Sequence, residues 1–154
     1  MDASEFVSRL DDRLRTDDYA DVDASPNGLQ VGGAEGELDR VAFAVDAAAA
    51  TIEAAIERDA DLLVTHHGIV WGSIERVTGR AHDRIASLLR NDVGLYVSHL
   101  PLDGHPDLGN GARLADLLDL GNRAPFGALG PEYVGQQGVL PEPTALTDLA
   151  ATLS

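Results

Sequence analysis

The sequence has 154 residues, a length typical of one compact domain, and 44% of them are hydrophobic, which is enough for a buried core. Asp and Glu number 26 against 11 cations, all of them arginine, so the formal net charge is −15. This charge argues against a surface that binds nucleic acid or anionic lipid, because both need clustered cations. The absence of Cys excludes disulfides and thiolate metal sites.

The acidic residues are dispersed along the chain rather than gathered in a tail. Dispersed carboxylates without lysine predict a protein from a halophilic organism, because concentrated salt screens their mutual repulsion. No charged segment followed by an apolar one opens the sequence, and no apolar run reaches membrane-spanning length. We therefore expect a soluble, cytoplasmic protein that does not bind membranes.

The first segment of the chain has the pattern of an amphipathic helix. Apolar residues at helical spacing predict this helix over residues 2–15, with Asp2 and Glu5 as a capping box. Residues 17–23 are polar, and we expect them to be a solvated loop. Residues 25–32 combine a turn signal with a short extended piece.

The middle of the chain alternates short apolar runs with helical patterns. We predict strands over residues 41–45, 62–64 and 95–97, and helices over residues 47–58, 83–90 and 111–118. Nearly continuous apolar strands that alternate with helices are typical of an α/β fold. The predicted architecture is a largely parallel sheet with helices on both faces.

The last part of the chain has a weaker pattern. Residues 121–130 contain Gly and Pro and predict a connection, with Gly121 as the capping position of the preceding helix. A strand is predicted over residues 133–140, and residues 141–144 lead into a last helix that stops without a capping signal.

These patterns together predict a single α/β domain over residues 1–154. Its core, which would carry the metal site, covers residues 1–130. Residues 131–154 begin a further strand–helix segment, which we expect to be truncated at the C-terminus.

Polar side chains with metal-binding chemistry follow two of the predicted strands. His66 and His67 follow the second strand, and His99 and Asp103 follow the third. The carboxyl ends of parallel strands lie at one edge of a sheet, so these groups should converge there. We predict a metal site built from His66, His67 and Asp103 that activates water for hydrolysis, with Asp103 able to bridge two ions.

Several nearby residues have more than one interpretation. His99 is a ligand, a partner beside the ligands, or a half-buried histidine, and His105 contacts substrate or orients a loop. Asn27 and Gln30 line the site or only form a turn. Trp71 stacks on a base or closes a pocket, although packing is the more common role of an aromatic residue.

Four segments of the chain resemble a known family. They are Ser-Pro-Asn-Gly-Leu-Gln-Val at 25–31, Asp-Leu-Leu-Val-Thr-His-His-Gly at 61–68, Leu-Tyr-Val-Ser-His-Leu-Pro-Leu-Asp-Gly-His-Pro at 95–106, and Leu-Gly-Asn at 108–110. In this order and spacing they resemble the Nif-three-like dinuclear metal-centre family, also described as GTP cyclohydrolase 1 type 2 homologues.

The resemblance implies a site with two divalent metal ions, with Zn, Fe, Mn and Ni not distinguished. It assigns His66, His67 and Asp103 as ligands and places His99 beside them. It also implies toroidal homohexamers and a hydrolase that opens the ring of GTP. The family's further His and Glu ligands belong to a C-terminal segment that nothing in this sequence matches.

The leading hypothesis is therefore a metal-dependent hydrolase of the cyclohydrolase type. Its substrate would be a small molecule, with a nucleotide as the first candidate, and His99 or His105 would move protons. One alternative is a two-metal phosphoesterase. The other is a non-enzymatic, ring-forming protein that binds metal for regulation or interaction.

Overall fold

The computed structural model describes residues 1–153, which form two compact units, Met1–Leu102 and Asp103–Ser154. The elements in chain order are α1 (Ala3–Leu14), a 3₁₀ helix (Thr16–Tyr19), β1 (Gly28–Val31), β2 (Val41–Asp46), α2 (Ala49–Ile56), β3 (Leu62–His67), α3 (Gly79–Arg90), β4 (Gly94–Val97), α4 (Leu100–Asp103), α5 (Asn110–Leu117), β5 (Gly121–Leu129), β6 (Glu132–Val139) and α6 (Leu146–Thr152). The prediction of one domain with a core that ends at residue 130 stays a prediction.

The first unit contains a four-stranded sheet in the order β1-β4-β3-β2. Strands β2, β3 and β4 run parallel, and β1 pairs antiparallel with β4. The parallel register sets Asp46 beside His67 and Thr65 beside Val97. The carboxyl ends of three strands therefore lie at one edge, and the predicted α/β fold with a largely parallel sheet is confirmed.

Helices cover both faces of this sheet, as predicted. Adjacent residues of a strand point to opposite faces, so the neighbours Leu62 and Leu63 belong to different hydrophobic clusters. On one face Leu63 packs with Ile52 of α2 and Leu88 of α3. On the other, Leu62 packs with Leu14 of α1. This two-sided burial explains why the strands are nearly continuously apolar in sequence.

Helices α1, α2 and α3 follow the predictions with shifted ends, whereas the 3₁₀ helix and α4 were not predicted. The side chain of Asp2 accepts a hydrogen bond from the Glu5 backbone N–H at 3.1 Å, which confirms the predicted cap of α1. Helix α3 begins at Gly79 rather than at residue 83. Its N-cap residue Thr78 makes no side-chain capping bond, and its first residue, Gly79, is of a type that is unfavourable in helices, so the start is hard to predict.

The second unit corrects the prediction for residues 121–130. They form strand β5, which pairs antiparallel with β6, and Gly121 is the first strand residue rather than a helix cap. Gly130, with a φ of 60°, lies in the two-residue connection between Leu129 and Glu132. The Gly and Pro residues of this hairpin hid its strand pattern, because both are depleted in strands. The predicted terminal helix is confirmed as α6.

None of the helices within residues 1–153 is both long enough and apolar enough to cross a membrane.

Candidate metal centre

Three histidines meet at the carboxyl edge of the parallel strands. His66 and His67 are the last residues of β3, and His99 follows the neighbouring strand β4. One ring nitrogen from each side chain lies within 4.8 Å of the other two. The ring centroids are 4.5 Å apart for His66–His67, 5.0 Å for His66–His99 and 5.7 Å for His67–His99. The cluster therefore has the dimensions of a site for one small cation or a pair of them.

Adjacent histidines in a regular strand would point to opposite faces of the sheet. Here β3 ends at His67, and Gly68 follows immediately. The end of the strand allows both rings to lie at the same edge.

The Nδ1 atoms of His66 and His67 are held by oxygen acceptors on neighbouring strands. His66 Nδ1 lies 3.1 Å from the Ser98 carbonyl oxygen, and His67 Nδ1 lies 2.6 Å from Asp46 Oδ1. Neither a carbonyl nor a carboxylate oxygen can donate a hydrogen, so Nδ1 of each ring carries the proton and donates it. In this tautomer the lone pair is on Nε2, which is the form that ligates metals.

The third ring, His99, is held by a buried carboxylate. Its Nδ1 lies 2.9 Å from Oδ1 of Asp23, whose side chain is 1% exposed. Asp23 also accepts hydrogen bonds from Ser25 N at 2.9 Å, Asn27 Nδ2 at 2.8 Å and Leu100 N at 3.0 Å. Burial raises the pKa of Asp23, but these hydrogen bonds outweigh it and hold the pKa below its ordinary value. Asp23 is therefore an ionised acceptor with all its hydrogen-bond donors in place.

Asn27 completes the support of His99. Its Oδ1 accepts a hydrogen bond from the His99 backbone N–H at 2.7 Å, while its amide donates to Asp23. The sequence prediction that residues 17–23 form a solvated loop is thus wrong for Asp23. In the sequence, Asp23, Ser25 and Asn27 lie at alternate positions directly before β1, the strand that pairs with β4. This position is the feature that could have indicated a role beside His99.

Gln30 fixes the loop that leaves the cluster after β3. Its Oε1 accepts hydrogen bonds from Ile69 N at 3.0 Å and Val70 N at 3.2 Å, and its Nε2 donates to Pro26 O at 3.0 Å. Trp71 follows these residues, and its ring lies 5.0 Å from that of His99 in an edge-on arrangement. Gln30 and Asn27 therefore both support the neighbourhood of the histidines, beyond the turn-forming role that each allowed from sequence.

The two remaining candidates, Asp103 and His105, belong to the second unit. Asp103 Oδ1 accepts a hydrogen bond from the Asn110 side chain at 2.8 Å. His105 is 7% exposed, and its Nδ1 accepts the backbone N–H groups of Asp107 and Leu108, both at 3.1 Å. This contact shows His105 holding its own loop. The ligand role of Asp103 and the catalytic roles of His99 and His105 stay predictions.

The sequence model of one family, described as Duf34/NIF3 (NGG1p interacting factor 3), matches residues 1–154. The chain belongs to the DUF34/NIF3 family. It is 55% identical over 154 residues to the "GTP cyclohydrolase 1 type 2 homolog" of Halobacterium salinarum, covering 100% of this chain and 60% of that protein. It is 44% identical to the protein of the same name from Pyrococcus abyssi, with the same coverage. The chain thus spans about 60% of the length of these DUF34/NIF3 relatives.

Solved structures support the same assignment. TTHA1606 from Thermus thermophilus is 37% identical and superposes with a TM-score of 0.86, over 99% of this chain and 60% of that one. HcgD from Methanocaldococcus jannaschii is 27% identical with a TM-score of 0.83, over 99% and 58% of the respective chains. Both the sequence and the fold therefore place the chain in the DUF34/NIF3 family.

The donor set of this DUF34/NIF3 chain fits the metal that the sequence predicted. Imidazole is a ligand for Zn, Fe, Ni and other divalent transition metals. Metal-ligating histidines almost always donate their second ring N–H to a carboxylate, a carbonyl or water. His66, His67 and His99 all meet this requirement.

Proposed function

We propose that His66, His67 and His99 hold a divalent transition-metal ion through Nε2, and that the protein uses it to hydrolyse a small molecule. The observation that carries this proposal is the oxygen acceptor at the Nδ1 atom of each ring. Each ring is left with Nε2 as its ligand atom, and the three rings lie in one small cluster.

The protein's own residues set the orientation and the proton positions of the site. Asp46 holds the proton on Nδ1 of His67, and Asp23 holds the proton on Nδ1 of His99. Both carboxylates fix the tautomer and the orientation of the ring, and both favour ligation through Nε2. A bound ion would supply a Lewis acid, which polarises an electrophile and lowers the pKa of water to about 7.

The finer parts of this proposal come from the sequence. Asp103 would be a further ligand that allows two ions to bind, and His105 would carry protons. Because the relatives are described as GTP cyclohydrolase 1 type 2 homologues, we propose opening of the ring of a purine nucleotide by water. Since the chain spans about 60% of their length, the activity and the homohexamer implied by the resemblance are proposed for the whole protein.

Metal analysis tests the centre directly. The protein, loaded with Zn²⁺ or Mn²⁺ and dialysed, should retain at least one ion per chain. His67→Asn should lose most of it, because one ligand is removed. His82→Asn is the matched control, since His82 is an exposed histidine with Nδ1 3.0 Å from Asp83 Oδ1, outside the cluster. Equal metal content in the two variants would show that the cluster is not the binding site.

A nucleotide panel with and without chelator tests the activity. We expect metal-loaded whole protein to convert GTP, and chelator to abolish the conversion. Turnover of phosphoesters alone would favour the two-metal phosphoesterase. Turnover of neither class would refute the enzyme and favour a metal-binding assembly protein. In the metal analysis, Asp103→Ala should retain about half as many ions per chain as wild type, and an unchanged metal content would show that Asp103 is not a ligand.

A further inference from the structure

Trp71 is a half-exposed aromatic ring beside the histidine cluster. It is the one Trp in the sequence, and it is 49% exposed. Its ring centroid lies 5.0 Å from that of His99, at an interplanar angle of 81°, and 6.2 Å from that of His67. A large apolar surface thus lies in contact with the groups that would hold the metal.

Trp71 also lines a cavity of about 490 Å³. The lining combines apolar residues of the loop after β3, such as Ile74 and Val77, with the polar side chains of Ser73, Glu75 and Arg76. Its volume is within the range of small-molecule sites, which are mostly apolar with a few polar groups at one end. Trp71 is the residue that this cavity shares with the histidine cluster.

The position of Trp71 is fixed from both sides. Before it, Gln30 accepts the backbone N–H groups of Ile69 and Val70. After it, Gly72 N donates to Ala24 O at 2.6 Å. Ala24 directly follows Asp23, the residue that orients His99. The backbone on both sides of Trp71 is therefore tied to the same segments of the chain that support His99.

We propose that Trp71 stacks on a planar heteroaromatic ring of the substrate and so selects aromatic over non-aromatic ligands at the metal centre. The inference rests on the proposed function, because the polar end of the ligand would lie at the histidines. An indole stacks on any planar heterocycle, and stacking on an aromatic side chain contributes about 1–3 kcal/mol per base, or about 5- to 150-fold in affinity. The exposed apolar side chains of Ile74 and Val77, which line the same cavity, would add apolar contact to the ring.

Binding of three planar probes to the zinc-loaded protein tests this inference. Guanosine, nicotinamide and flavin mononucleotides each combine a heteroaromatic ring with a phosphate, and ribose 5-phosphate is the matched probe without a ring. At least one ring compound should quench the fluorescence of Trp71 with saturation, and ribose 5-phosphate should not. If none of the three binds more tightly than ribose 5-phosphate, the inference is wrong.

Variants separate stacking from apolar contact. Measured by calorimetry, Trp71→Phe should bind the ring probe within about 3-fold of wild type, and both Trp71→Leu and Trp71→Ala should bind it about 5- to 150-fold more weakly. Phe43→Ala is the control, since Phe43 is an aromatic residue of β2 that is 71% exposed. Wild-type affinity in Trp71→Leu would overturn the stacking role.

Metal content distinguishes failure of this inference from failure of the proposed function. The Trp71 variants should keep the metal content of wild type, because the indole is not a ligand. If the Trp71 variants keep both the metal content and the ring-probe affinity of wild type, the stacking role is wrong and the proposed metal centre is unaffected. If His67→Asn keeps its metal, the proposed function itself is wrong.

Discussion

Asp23 offers the sharpest test of how the histidine cluster is held. The change Asp23→Asn keeps the shape of the side chain but replaces one acceptor oxygen with an amide that only donates. Each oxygen of Asp23 now accepts two hydrogen bonds: Oδ1 from Ser25 N and His99 Nδ1, and Oδ2 from Asn27 Nδ2 and Leu100 N. Either orientation of the amide therefore sets its NH₂ group against two donors.

The cost follows from this count. Two buried donors lose their acceptor, and each unsatisfied buried group costs about 1–3 kcal/mol. We expect Asp23→Asn to lower the free energy of unfolding by about 2–6 kcal/mol, which is twice the cost of one such group. Loss of the oriented His99 ring should also weaken metal binding about 10- to 100-fold, the range for partners of ligating histidines.

Urea unfolding with chelator measures the first effect, and competition titration of the metal measures the second. Asp21→Asn is the matched control, because Asp21 is exposed and the charge change is identical. It should leave both quantities near wild type. Typical surface substitutions change the free energy of unfolding by no more than about 0.5 kcal/mol. If the free energies of unfolding of Asp23→Asn and Asp21→Asn differ by less than this amount, the inferred network does not hold the site.

Two further changes probe the surroundings of the site. A Cβ at Gly68 would lie 2.6 Å from Gln30 Nε2, so Gly68→Ala should displace the Gln30 side chain. In urea unfolding, the double variant Gly68→Ala with Gln30→Ala should therefore lose less free energy of unfolding than the two single variants lose together. The buried Tyr96 hydroxyl donates to Asp11 Oδ1 at 2.8 Å, so Tyr96→Phe should lower the free energy of unfolding by about 1–2 kcal/mol. Burial raises the pKa of Tyr96 above its ordinary value of 10.0. The stability that the hydroxyl contributes is therefore complete below pH 10 and should shrink as the pH rises further. If the difference in the free energy of unfolding between wild type and Tyr96→Phe stays constant up to about pH 11, this reasoning is wrong.

The fold of the first unit was largely predictable because its strands are buried on both faces. In each of the pairs Leu62–Leu63 and Leu95–Tyr96, the two side chains face opposite sides of the sheet and different hydrophobic clusters. Both members of each pair are therefore apolar, and the strands are visible in the sequence as apolar runs. Strand β5 was not predictable in the same way. All its residues are exposed except Ala124 and Gly127, which are half-buried, so the strand has neither an apolar run nor a period of two.

The site residues were predictable where their residue type is rare in the sequence, and not where that type is common. His66 and His67 form an unusual pair at the end of a buried strand, and the sequence alone directs attention to them. Asp23 and Asp46 are two among 26 acidic residues. In so acidic a chain, the sequence does not distinguish Asp23, which is buried and accepts four hydrogen bonds, from its solvated neighbours. Only its position before β1 sets it apart, and that requires knowing that β1 pairs with β4.

The three histidines take their support from three separate parts of the chain. His66 is held by the end of β4, His67 by the end of β2, and His99 by the segment before β1. His66 and His67 are neighbours in sequence, yet their acceptors lie 32 and 21 residues away. The oriented cluster therefore exists only when the sheet is assembled. A metal ion that binds the oriented rings binds the folded state and not the unfolded chain, so binding and folding stabilise each other.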